Sequence, residues 1–135
     1  MQRTYGIRLA ALALIVPLKW IDNLLSHHEL PGVTRSRQGV ERRITEEGLL
    51  AIEMVRLVSA EIGAPLTRAA HIVRSALRAR SSGPMTYPAG QGVAVVFDVA
   101  RIEGALRERI IEAMEFVARI PRGRPRRDRG TSSDA

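Results

Sequence analysis

Cysteine is absent from the 135 residues, which excludes disulfides, zinc fingers and thiol chemistry and makes a cytoplasmic setting the expectation. Aromatic residues are scarce. Tyr5, Trp20, Tyr87, Phe97 and Phe116 are too scattered to form a stacking platform for unpaired bases. Lysine is nearly missing: of 21 basic residues only Lys19 is not an arginine. The one long apolar run, Leu9 to Leu18, holds ten residues, about half of what a bilayer-spanning helix needs. Lys19, Trp20 and Asp22 follow it where a signal peptide would carry small residues for cleavage, so neither a membrane span nor a leader is expected. A glycine-rich phosphate loop, a nucleophile elbow and a paired acidic motif are also lacking, so neither an enzyme nor a cofactor is expected.

What the chain does carry is positive charge, unevenly placed. Residues 1–80 hold 12 basic and 7 acidic groups, residues 81–118 hold 3 and 5, and residues 119–135 hold 6 and 2. A basic front and a basic tail around a mildly acidic block suggest surfaces for a polyanion at either end and a different use for the middle.

The apolar spacing predicts a mainly helical α+β chain. A first helix covers Ile7 to Ile15. Pro17 breaks it and opens a second helix to His27, with Leu18, Ile21, Leu24 and Leu25 inward and Lys19, Trp20, Asp22, Asn23 and Ser26 outward. Leu30-Pro31-Gly32 ends that helix. Val33 to Ile44 reads as a hairpin turning at Gln38-Gly39 and rich in arginine. Thr45 is a good N-cap, with Glu46 and Glu47 in the first turn of a third helix that Gly63 stops. A fourth helix runs from about Leu66 to Arg78. The glycine- and proline-rich stretch Ser81 to Gly92 is a connection holding one short strand near Met85, Gly92 to Val99 is a continuous β-branched strand expected to be covered on both faces, and Arg101 to Arg119 is an amphipathic helix.

The order helix, turn, helix, hairpin, helix, helix over residues 5–79 resembles the MerR-type winged helix-turn-helix family and its small excisionase-like relatives. The residues that carry the resemblance are Leu9 to Ile15, Val16, Lys19, Leu30-Pro31, Gln38-Gly39, Arg42-Arg43, Ile44-Thr45 and Ile62-Gly63-Ala64-Pro65-Leu66-Thr67. Asp22-Asn23-Leu24 stands where the family usually has Arg-Tyr-Tyr. The resemblance implies a small bacterial transcription regulator that binds double-stranded DNA. On the chemistry of the residues, Lys19, Trp20 and Asn23 offer base contacts from the second helix, while Arg35, Arg37, Arg42 and Arg43 of the hairpin offer phosphate contacts.

Two segments remain. Arg122-Gly123-Arg124-Pro125, with Arg126 after it, matches the core of an AT-hook in a tail, residues 120–135, that is expected to be disordered. Residues 84–119 are expected to form a strand-helix unit whose residues Val95, Val96, Phe97, Ile102, Leu106 and Ile110 meet a second copy of the chain, or alternatively a toxin protein that the chain neutralises as an antitoxin. His27-His28-Glu29 reads as a helix-end pair, not a metal site. Asp98 reads as an N-cap and not as a catalytic carboxylate.

Overall fold

A computed structural model describes residues 3–34, 41–79 and 84–120. They form an α+β fold that is mainly helical with two small antiparallel sheets. Strand β1 (Thr4–Tyr5) leads through Gly6 into helix α1 (Ile7–Leu14), which buries Ala10, Ala13 and Leu14. Helix α2 (Leu18–His27) starts directly after Pro17 and crosses α1 at 116°. Ile21, Leu24 and Leu25 of its inward stripe are buried, as the three- and four-residue spacing predicts, whereas Leu18 in the first turn is 37% exposed.

The turn between the two helices hinges on Ile15, the only non-glycine residue with positive φ among the described residues (φ 58°, ψ 50°). Its side chain is 76% exposed and so gains little from packing, while a β-branched residue in the left-handed region costs about 1–2 kcal/mol. Ile15→Gly is therefore expected to raise the unfolding free energy by about 1 kcal/mol in urea titrations. A lower midpoint would show that Ile15 contributes contacts that outweigh its strain.

Val33 and Ile44 pair across the base of the expected hairpin, and Thr34 N–H donates to the Arg43 carbonyl at 3.0 Å. Arg35, Arg37 and the turn at Gln38-Gly39 lie outside the described residues. Strand β2 (Ile44–Thr45) also pairs with β1, Thr4 opposite Thr45 and Tyr5 opposite Ile44. The start of the chain thus locks onto the hairpin stem, a pairing that two-residue strands do not announce in sequence.

Helix α3 (Glu46–Leu57) begins at Thr45, whose hydroxyl accepts from Gly48 N–H at 3.1 Å. Periodicity predicts one apolar face for α3. The structure buries every residue from Gly48 to Val55, because α4 (Leu66–Arg78) and α5 (Val99–Arg119) both pack on it. A π-helical turn (Val58–Ile62) and Gly63 at φ 78° end α3. Strands β3 (Met85–Gly90) and β4 (Val93–Phe97) form an antiparallel hairpin, with Met85 opposite Phe97. Asp98 caps α5 by accepting from Arg101 N–H at 3.2 Å.

Residues 84–119 do not stand apart from what precedes them. Helix α5 lies across α1 and α3, β3 touches α4, and one continuous core runs from Tyr5 to Ala113. An amphipathic helix buries its stripe against the nearest apolar surface, and here that surface is the chain's own first helix. Of the six residues expected to meet a partner, Val95, Phe97, Leu106 and Ile110 are therefore spent in this core and Ile102 is partly buried against it. Val96, 63% exposed, faces out. Among the described residues no single helix is long and apolar enough to cross a membrane.

Candidate nucleic-acid interface

Lys19 and Asn23 lie four residues apart on α2 and are both exposed, so they present donors from one helical face. Trp20 is partly buried and packs against the core.

The two hairpin arginines part ways. Arg42 turns inward with its side chain only 14% exposed: it donates to Asp22 Oδ1 at 3.0 Å and to Ser26 Oγ at 3.3 Å, and so fastens the hairpin stem to the outer face of α2. This corrects the expectation that Arg42 is an open phosphate contact. Neighbouring residues on extended chain point to opposite sides, so Arg42 and Arg43 cannot share one surface. Arg43 is the exposed member. Its Nε and Nη2 donate to the hydroxyl and carbonyl of Thr4, each at 3.2 Å, which ties the stem to β1. Asp22 and Ser26, which no sequence motif singled out, are thus anchors of the site; their i, i+4 spacing on an outward face was the available signal.

Beside the stem lies a polar cleft of about 740 Å³ bounded by the end of α2, the Glu29–Thr34 segment and α4. It holds His27, His28, Glu29, Arg42 and Arg74. Arg74 Nη1 donates to the Glu29 carbonyl at 3.3 Å. His27 Nδ1 bonds the Asn23 carbonyl at 2.9 Å, and the two imidazoles sit 6.5 Å apart. Burial, with Arg74 and His27 nearby, holds His28 below the ordinary histidine value. Among the described residues no group of three or more His, Asp or Glu could hold a metal ion.

A second ionic group was not foreseen. Glu53 of α3 is 3% exposed, and its carboxylate accepts from Arg56 Nε at 2.8 Å, Arg56 Nη2 at 2.9 Å and Arg109 Nη2 at 2.6 Å. The bond to Glu53 also raises Arg56 above the usual guanidinium value. Arg122, Arg124 and Arg126 of the tail lie outside the described residues. No family model, no curated protein and no solved structure matches the chain.

Proposed function

We propose that the chain is a sequence-specific double-stranded DNA-binding protein, a small bacterial transcription regulator, in which residues 5–79 form a winged helix-turn-helix of the MerR type and α2 reads the major groove. The observation that carries this is the 116° crossing of α1 and α2 over a short turn, within the range of roughly 90–120° typical of helix-turn-helix pairs, with Lys19 and Asn23 outward on the second helix. The hairpin stem pinned by Arg42 to that same helix supports the reading, since a wing must hold a fixed position beside the reading helix to place its phosphate contacts.

A single short module reads few base pairs, and two-fold pairing doubles the contacts, so the regulator acts as a homodimer. Val93 and Val96 of β4, with Ile111, Phe116, Val117 and Ile120 along and just after α5, are exposed apolar residues available for it. The antitoxin alternative needs residues 84–119 free for a toxin protein, and their burial in the core weighs against it.

Selection of binding sites from random duplex DNA tests the reading, with enrichment of a palindrome expected. Against the selected site, Lys19→Ala or Asn23→Ala is expected to cost about 1–3 kcal/mol and to relax one or two base pairs, with little effect on random duplex. Failure to enrich any duplex overturns the reading. An equal loss on both kinds of DNA assigns the two residues to the backbone and removes α2 as the reading helix.

A further inference from the structure

We propose that the cleft beside the hairpin stem is a binding site for a phosphate group, gripped by Arg74 of α4 and by the imidazoles of His27 and His28 at the end of α2. The phosphate comes either from the backbone of a bound duplex, in which case the inference rests on the DNA-binding reading, or from a free phosphorylated molecule, in which case it stands without it.

The walls come from three separate parts of the chain, so the cleft is held open by the fold and not by one loop. Arg74 carries five N–H donors in a planar fork that matches phosphate oxygens, and among the described residues it makes one hydrogen bond, to the Glu29 carbonyl. Two imidazoles stand at the same opening. His27 uses Nδ1 on the Asn23 carbonyl, which leaves Nε2 as the ring atom for a ligand.

Among the described residues, the cations facing the cleft are Arg42, already paired with Asp22, and Arg74; the carboxylate is Glu29; the remaining titratable groups are His27 and His28. Burial and the neighbouring cation Arg74 disfavour a proton on His28 in the empty cleft. An arriving phosphate reverses that second cause, because the added proton then faces negative charge. Binding of a phosphodiester, whose charge is fixed across this range, therefore takes up a proton, and affinity rises as pH falls through the histidine range. Position fits a duplex as well: the exposed face of α2 runs from Lys19 past Asn23 to Ser26 and His27, which border the cleft.

The test follows the three histidines of the full chain by NMR while inorganic phosphate, and separately a random-sequence duplex, is added across pH 5–8. The expected result is that His28 shifts and its titration midpoint rises, each unit of rise meaning about tenfold tighter binding to the protonated form, while His71, exposed on α4 outside the cleft, stays still. Arg74→Gln is expected to weaken the effect about tenfold, and Arg74→Lys, which keeps charge and loses the fork, to weaken it less. Response to duplex but not to phosphate assigns the site to the DNA backbone; response to phosphate in a protein that binds no duplex keeps the cleft and removes the DNA reading. If duplex is retained in a mobility shift while neither probe moves His28, or if Arg74→Gln responds as the parent does, the phosphate site is overturned and the DNA reading stands.

Discussion

Glu53→Ala is expected to lower the unfolding free energy by about 3–5 kcal/mol, the usual cost of removing one partner from a buried ionic group. Among the described residues the carboxylate is the only acid that Arg56 and Arg109 share, and it is held by three short, charge-assisted bonds. Without it two partly buried guanidinium groups, 28% and 23% exposed, face each other with no carboxylate between them. Arg109 suffers more than Arg56, because its Nε is buried with no hydrogen-bond partner even in the intact protein. Since Arg109 belongs to α5 and Glu53 to α3, the loss falls on the docking of the last helix. Thermal unfolding followed by circular dichroism is expected to fall by roughly ten degrees or more.

Controls separate charge from shape. Glu53→Gln keeps the volume and one acceptor, so it is expected to fall between parent and Glu53→Ala. A double-mutant cycle of Glu53 with Arg109 is expected to give a coupling above about 1 kcal/mol, since the two residues touch at 2.6 Å. Replacing the whole group by apolar residues of similar volume, Glu53→Leu with Arg56→Met and Arg109→Met, is expected to recover most of the loss, because desolvation of the ions is then no longer opposed to folding. An unchanged midpoint in Glu53→Ala would show that water enters and solvates both arginines.

That group also marks where sequence reading stops. The caps at Thr45 and Asp98, the stop at Gly63 and the inward stripe of α2 are local, set within four residues by hydrogen-bonding reach and helical spacing, and they were legible. That Val95 and Phe97 share one face of β4 was legible too, but a continuous β-branched run reads as covered on both faces, whereas Val93 and Val96 are exposed. Illegible were the contacts across long separations: β1 on β2, some forty residues away, and Glu53 with Arg109, 56 residues apart. A helical stripe states which side is buried and not what buries it, which is why α5 reads as a unit seeking a partner when it lies on α1. In the candidate site, the four-residue spacing of Lys19 and Asn23 was enough to place them together. Arg42 was misjudged because a run of arginines was read as one surface, whereas extended chain sends alternate residues to opposite sides.

The largest effect expected of a single methyl group is at the junction of Gly32 and Gly48. In an ordinary helix Gly→Ala stabilises by about 1 kcal/mol. At Gly48, in the first turn of α3, the sign is expected to reverse, because an added Cβ would lie 2.6 Å from the Gly32 carbonyl oxygen, 2.9 Å from its carbon and 2.9 Å from Ile44 Cγ2. Two of these three atoms are backbone and cannot swing away. Overpacking of this kind costs about 1–3 kcal/mol or more. Gly32→Ala is worse. Its Cβ would run into the Gly48 amide and the Thr45 hydroxyl, and φ of 81° adds about 1–2 kcal/mol for any side chain. The Gly32 carbonyl also accepts from Thr45 N–H at 2.8 Å and from the Thr45 hydroxyl at 3.1 Å, so the clash opens the α3 cap as well. Because this junction carries the hairpin stem, and Arg42 carries the stem's hold on α2, Gly32→Ala is expected, on the proposed DNA-binding reading, to weaken duplex binding in addition to stability. Chemical denaturation ranks the set: Ile15→Gly above parent, parent above Gly48→Ala, and Gly48→Ala above Gly32→Ala. A midpoint for Gly48→Ala at or above the parent's would show that the Gly32 segment yields, and the stem would then be free to move relative to α3.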